Sequence, residues 1–193
     1  MSDAPDRALD VAEEVSDLLA SRGARSVIIG AAAMAVHGYA RATRDLDLAV
    51  VGVPLPTLRE VASELRARGY EVSLGEPDAA DPLGGVLRVD VDDELRVDVV
   101  NFGNPWTGAT RSVGEAALDA PSVALKGRRL AVVELVPLVL LKLAAGSRFD
   151  LRDAAELLAL HPEVDRAALR ERCVALRLDK GFDRVMADLD QDR

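Results

Sequence analysis

The stretch GAAAMAVHGYARATRDLDLAVV, residues 30–51, follows a short β-rich run, SVII, at 26–29. Gly30 ends that run, and the small residues at 31–36 predict a short helix. Beyond a turn containing Gly38 and Arg41, a second apolar run carries Asp45 and Asp47. Side chains alternate across a strand, so these two acids share one face while Leu46, Leu48 and Val50 fill the other. Alternate strand residues lie about 7 Å apart, close enough for their carboxylates to converge on metal ions about 3.5–4 Å apart. Hard oxygen ligands on an open face suit Mg²⁺, which takes few protein carboxylates and completes its shell with substrate phosphates. The stretch therefore predicts half of a metal-dependent phosphoryl- or nucleotidyl-transfer site.

Composition sets the bounds around it. The 193 residues suffice for one domain with a sizeable core, or one domain with a helical appendage. Hydrophobic residues at 49% and charged residues at 30% describe a soluble globular protein. Aromatics make up only 3%, which argues against stacking platforms for single-stranded nucleic acid. A net charge of −9 repels a phosphate backbone in bulk, although a local arginine patch can offset it. The single cysteine, Cys173, permits no internal disulfide and suits a reducing compartment. The acidic beginning, MSDAPDRALD, has no apolar signal core. The apolar run at 130–143 is interrupted by Glu134, Pro137 and Lys142 and is too short to span a bilayer. A cytoplasmic protein with no membrane partner is expected.

Outward from the central stretch, an amphipathic helix is expected at 5–20, stopped at Gly23, and another opened by Pro54 and Pro56 with Leu55, Leu58, Val61, Ala62 and Leu65 inside. A short strand follows at 70–74, then a mobile Gly/Pro/Asp loop at 75–85. Residues 85–91 and 94–100 flank Asp92-Asp93 as an antiparallel hairpin, with Arg96, Asp98 and Val100 on one face of its second strand. A turn-rich loop is expected at 101–114, and short extended runs at 122–125 and 128–133. The rest reads as helices at 134–145, 151–160, 165–176 and 181–189. Two regions result, an α/β core at 1–133 and a helical region at 134–193 packed on it.

The ordered wording G-A-x-A-x-x-x-H-G-x-x-R-x-T-x-D-x-D, from Gly30 to Asp47, resembles the nucleotidyltransferase fold of the DNA polymerase beta superfamily. Within it the wording is similar to the AbiEii-type toxins of type IV toxin–antitoxin systems. The resemblance supplies a third acid, Asp98 in LRVDVVN, and extends to KLAAGSRFDLRDAAELL from Lys142, with Asp150 and Asp153 three apart. It implies an α/β (α+β) fold, a mixed central sheet flanked by helices and followed by a C-terminal helical bundle. One position departs: Ala31 stands where that family usually has Gly or Ser, leaving a backbone N–H but no hydroxyl.

What the resemblance implies is transfer of NMP from an NTP, here ATP, with Mg²⁺ as cofactor. Asp45 and Asp47 would bind the metals, and Asp98 would hold the catalytic metal and take the acceptor's proton. Gly30 and Ala31 would offer N–H groups to the triphosphate, Arg41, Thr43 and Arg44 would touch phosphates, and Lys142 with Asp150 would reach the nucleotide. His37 is expected to pack or close a turn, and Cys173 to be an inert core residue. The acceptor is tRNA, a protein hydroxyl or a small molecule, and the toxin resemblance implies a cognate antitoxin. Two alternatives stand beside this reading. One is an antibiotic-modifying, aminoglycoside-type adenylyltransferase whose acidic loop, 76–81 or 90–94, lines a pocket for a cation. The other is a catalytically silent member of the fold that only binds a partner.

Overall fold

The β-branched and leucine-rich runs form one mixed sheet in the computed structural model, which describes residues 4–191. Residues 1–3 of the acidic beginning and 192–193 of the expected helical region lie outside the described residues. The strands are β1 (Val27–Ile28), β2 (Asp45–Val51), β3 (Glu71–Gly75), β4 (Leu83–Asp90), β5 (Arg96–Phe102), β6 (Ser122–Ala124) and β7 (Ala131–Val133). They lie in the order β3-β4-β5-β2-β1-β7-β6. β2 runs parallel to β5 and antiparallel to β1, and β4 and β5 form the expected hairpin. Central placement explains why Leu48, Val97 and Val99 are wholly buried. β1 is shorter than its apolar run because the chain turns at Gly30; Ile29 still donates its N–H to Asp47 O at 2.9 Å.

Helices flank the sheet: α1 (Ala4–Ala20), α2 (Gly30–Val36), α3 (Leu55–Ala67), α4 (Arg111–Asp119), α5 (Leu135–Ala145), α6 (Arg148–Leu160), α7 (Arg166–Ala175) and α8 (Asp179–Gln191). Of the expected inner stripe of α3, Leu58, Val61, Ala62 and Leu65 are buried, whereas Leu55, the first residue of the helix, is only half-buried. α5 is apolar nearly all round, as a helix covered on several sides must be, and buries Leu138, Val139 and Leu140. One core contains these leucines, Leu48 and Val99 of the sheet, and Leu157, Leu169 and Cys173 of the later helices. That core runs without a break across the join between β7 and α5. Each such leucine, once buried, contributes about 1.5–3 kcal/mol.

Three expected segments differ. The stretch at 101–114 is not all loop: β5 extends through Phe102, and α4 begins at Arg111. Gly114 reads as a turn residue in sequence, but it lies inside α4 because a Cβ there would stand 2.4 Å from Phe102 Cβ. The glycine lets the helix close onto the sheet. The Gly/Pro/Asp loop is shorter than expected, since β4 begins at Leu83 with a register shift before Val86. Its backbone is also held: the Asn104 side-chain amide donates to Asp78 O at 2.8 Å and Asp81 O at 2.6 Å. α6 begins at Arg148 rather than 151 because Ser147 caps it, accepting from Asp150 N at 3.1 Å. Among the described residues no helix is long and apolar enough to cross a membrane.

Candidate active site

Register between the two central parallel strands brings the acids together. Asp47 of β2 stands opposite Asp98 of β5, and Asp45 stands opposite Arg96. Paired residues point to the same side of a sheet, so all four side chains share one face, with Leu48 and Val97 on the other. β4 adds Arg88, paired with Asp98 from the far side. The β1–α2 turn closes over this face. Gly30 has φ +63°, and a Cβ on it would lie 2.0 Å from Asp47 Oδ2. Only glycine combines that dihedral with that approach.

Burial and like charge act together on these carboxyls. The Asp47 pKa is raised to about 6, first by burial and then by the Asp98 and Asp45 carboxylates, with Lys142 and Arg41 pulling it back. Asp98 is only 8% exposed, and burial raises its pKa while Arg96 and Arg88 oppose the rise. Arg96 Nε lies 2.8 Å from Asp45 Oδ1 and 3.3 Å from Asp98 Oδ1; Arg88 Nε lies 3.7 Å from Asp98 Oδ2. Asp98 Oδ1 is nevertheless buried without an aligned hydrogen bond.

A cavity of about 400 Å³ opens beside Asp47. Ile29, Gly30 and Asp47 form one wall, Leu138, Leu141, Lys142 and Asp150 the other, and Leu83, Val100, Phe102 and Thr110 also line it. Lys142 comes from the helical tail yet is nearly buried, with Nζ 3.1 Å from Asp150 Oδ1 and 2.9 Å from Asp153 Oδ2. Arg41 Nη2 reaches the same Asp153 oxygen at 3.4 Å. Core and tail are thus tied by an ion network at the cavity wall.

No family model matches the sequence, and no curated protein does. Solved structures do match. The antibiotic-resistance factor ANT(2'')-Ia is similar with a TM-score of 0.56 at 14% identity, over 95% of this chain and 95% of that one. An antigenic nucleotidyltransferase-like protein from Paracoccidioides brasiliensis is similar with a TM-score of 0.56 at 17% identity, over 97% of this chain and 89% of that one. The chain has the nucleotidyltransferase fold. Within this nucleotidyltransferase fold the acidic face lies on β2 and β5, and the opposite cavity wall is α5 with the start of α6.

Not every residue singled out in sequence falls on that cavity. Ala31, Arg41, Thr43 and Arg44, together with Asp45, line a second cavity of about 460 Å³ bordered by α1 and α2. Thr43 Oγ1 is occupied locally, accepting from Asp45 N at 3.2 Å and donating to Asp45 O at 3.1 Å, which fixes the turn before β2. His37 is structural, its Nε2 lying 2.8 Å from Val133 O. Arg88, Arg96 and Asp153 are the site neighbours to which sequence reasoning gave no role in the site. R-V-D at 96–98 carried a signal for Arg96, because alternate strand residues share a face.

A ready-made centre of three carboxylates is not assembled. Among the described residues no group of three or more His, Cys, Asp or Glu side chains is gathered as if for a metal ion. Asp45 and Asp98 are instead both paired with the Arg96 guanidinium. The donor set still fits the divalent cation that the sequence resemblance implies. Asp98 Oδ1 keeps an unused buried lone pair, and Asp47 ionises reluctantly beside it. Two carboxylate side chains plus substrate phosphates are the usual protein share of a Mg²⁺ shell.

Proposed function

We propose that the protein is a nucleotidyltransferase that binds an NTP, such as ATP, in the cavity between the β2–β5 face and α5, and moves its NMP group to an acceptor hydroxyl. The observation that carries this reading is the register of Asp47 opposite Asp98, with Gly30 left bare against Asp47. Asp45, Asp47 and Asp98 are the residues that would hold Mg²⁺. Bound there, the ion would supply the charge that offsets the triphosphate and the negative charge developing on the leaving oxygen. The acceptor oxygen attacks the α-phosphorus, the bond to the β-phosphate oxygen breaks, and pyrophosphate leaves. Asp98 takes the acceptor's proton, a task suited to a carboxylate whose pKa burial has raised.

The remaining residues position the substrate. Gly30 and Ala31 bring backbone N–H groups towards the triphosphate. Lys142, held by Asp150 and Asp153, presents a cation on the opposite wall, and Arg41 and Arg44 approach from the neighbouring cavity. Leu138, Leu141 and Phe102 give the apolar surface that excludes water from the base and ribose. Residues 134–193 thereby act as the far wall of the cleft on the core at 1–133.

A specific observation bears on the acceptor. A cavity of about 240 Å³ is lined by five acids, Asp45, Asp90, Asp92, Asp93 and Glu94, against two cations, Arg44 and Arg96. Its charge favours a cationic small molecule, as for an antibiotic-modifying adenylyltransferase, over tRNA. The AbiEii-type reading, with RNA or protein as acceptor and an antitoxin as partner, rests on the wording of residues 30–47. The test is incubation of pure protein with α-labelled NTPs, Mg²⁺, total RNA, cell extract and a panel of aminoglycosides. Label on an amine-rich small molecule supports the cationic acceptor, and label on RNA or protein supports the toxin reading. Absence of both transfer and Mg²⁺-dependent NTP binding would leave the silent scaffold.

A further inference from the structure

The position of Arg96 has a consequence for cation binding. Its guanidinium lies between Asp45 and Asp98, 2.8 Å and 3.3 Å from their nearest oxygens, where the expected metal ligands would otherwise converge. We propose that Arg96 is a resident counter-cation of the acidic face, which competes with a divalent cation for Asp45 and Asp98 and gives way when that cation binds. The proposal rests on the metal-dependent reading above and assigns this residue a role within it.

Three features support displacement rather than a permanent bridge. Arg96 Nε is close to both acids, yet its N–H makes no aligned hydrogen bond, and neither does Asp98 Oδ1. The contact is therefore chiefly Coulombic, without the bidentate fork that makes an Arg–carboxylate pair strong. The Arg96 side chain is 42% exposed, so a path to solvent is open and leaving carries little desolvation or repacking cost. Arg88, 3.7 Å from Asp98 Oδ2, stays as a second cation on that acid. Geometry also keeps Arg96 on the face, because it sits two residues before Asp98 on β5. Without a metal, the Arg96 guanidinium offsets the like charge of Asp45 and Asp98, the two acids it touches. A dication delivers twice that charge in a smaller volume and wins the acids, but its apparent affinity is lowered by the competition.

The test is calorimetric titration of Mn²⁺, alone and with a non-hydrolysable ATP analogue, into wild type, Arg96→Gln and Arg96→Lys. Arg96→Gln removes the competing charge and is expected to bind Mn²⁺ about tenfold or more tightly than wild type. Arg96→Lys restores the charge and is expected to return affinity towards wild type. Thermal melts in chelator check that each variant is folded, and Arg96→Met, which also removes the charge, takes the place of the glutamine variant if that one is not. Equal or weaker Mn²⁺ binding by folded Arg96→Gln, or tightening by Arg96→Lys as large as that of Arg96→Gln, overturns the role given to Arg96 and leaves the metal reading standing. No Mn²⁺ binding by any of the three, with or without nucleotide, overturns both.

Discussion

Replacing Gly30 with alanine separates the two demands that the turn makes. The first is conformational: φ +63° costs an alanine about 1–2 kcal/mol. The second is spatial. The new Cβ would lie 2.0 Å from Asp47 Oδ2 and 2.9 Å from its Cγ, and ordinary contact begins near 3.4 Å, so the carboxylate must retreat by more than 1 Å. Gly23 supplies the control, because it has φ +77° with nothing within 4 Å of an added Cβ. Denaturant melts should show a similar loss, about 1–2 kcal/mol, in Gly23→Ala and at least that in Gly30→Ala. Only Gly30→Ala should lose transfer activity, by about 100-fold, the usual cost of a 1 Å misplacement at a reacting centre. Mg²⁺-dependent binding of a non-hydrolysable ATP analogue, measured calorimetrically, should weaken in the same variant. Equal binding and turnover in the two alanine variants would refute the link between this turn and the Asp47 carboxylate.

Other substitutions probe the remaining parts. Asp98→Asn should abolish label transfer while leaving MgNTP binding largely intact, whereas Asp47→Asn should lose both; full activity in Asp98→Asn would move the proton-accepting role elsewhere. Lys142→Met leaves Asp153, 5% exposed, without its nearest cation and should cost about 3 kcal/mol in a denaturant melt. The double change Lys142→Met with Asp153→Leu should recover part of that loss, and an unchanged melt in the single variant would show that the network does not hold the tail. The His161 pKa is raised above 6.5 by the His37 carbonyl and Glu163. Its stabilising contribution is therefore full below pH 6.5 and is lost as pH rises through the raised value. His161→Gln should flatten that part of the stability–pH curve, and an undiminished slope would assign it to another group.

The two-residue period of a strand makes the D-x-D face legible in the sequence itself, because Leu46, Leu48 and Val50 have to go to the core. The hairpin carrying Asp98 is legible for the same reason, with Asp92-Asp93 marking its turn. What local patterning cannot express is which strand lies beside which. The parallel pairing of β2 with β5 sets Arg96 against Asp45 and turns an expected trio of ligands into an ion-paired cluster. Long-range fit hides α4 as well. Gly114 is a packing glycine against Phe102, and in sequence a packing glycine looks the same as a turn glycine. Thr43 shows the converse limit: its place before Asp45 invites a phosphate contact, yet its hydroxyl is spent on the adjoining backbone. Lys142 stands out as a lone charge on an apolar helix, while its two acidic partners belong to the next helix and meet it only once α5 and α6 fold together.

Where a nucleotide-bound cation sits is the most direct question to ask of the protein. Paramagnetic broadening of backbone amide signals by Mn²⁺ with a non-hydrolysable ATP analogue answers it without knowledge of the acceptor. Broadening should centre on Gly30, Asp47 and Asp98, reach Lys142 across the cavity, and spare Ala155 and Asp188 on the α6–α8 face. Broadening centred on the α6–α8 face, or none at saturating nucleotide, would contradict a nucleotidyl-transfer site on the β2–β5 face.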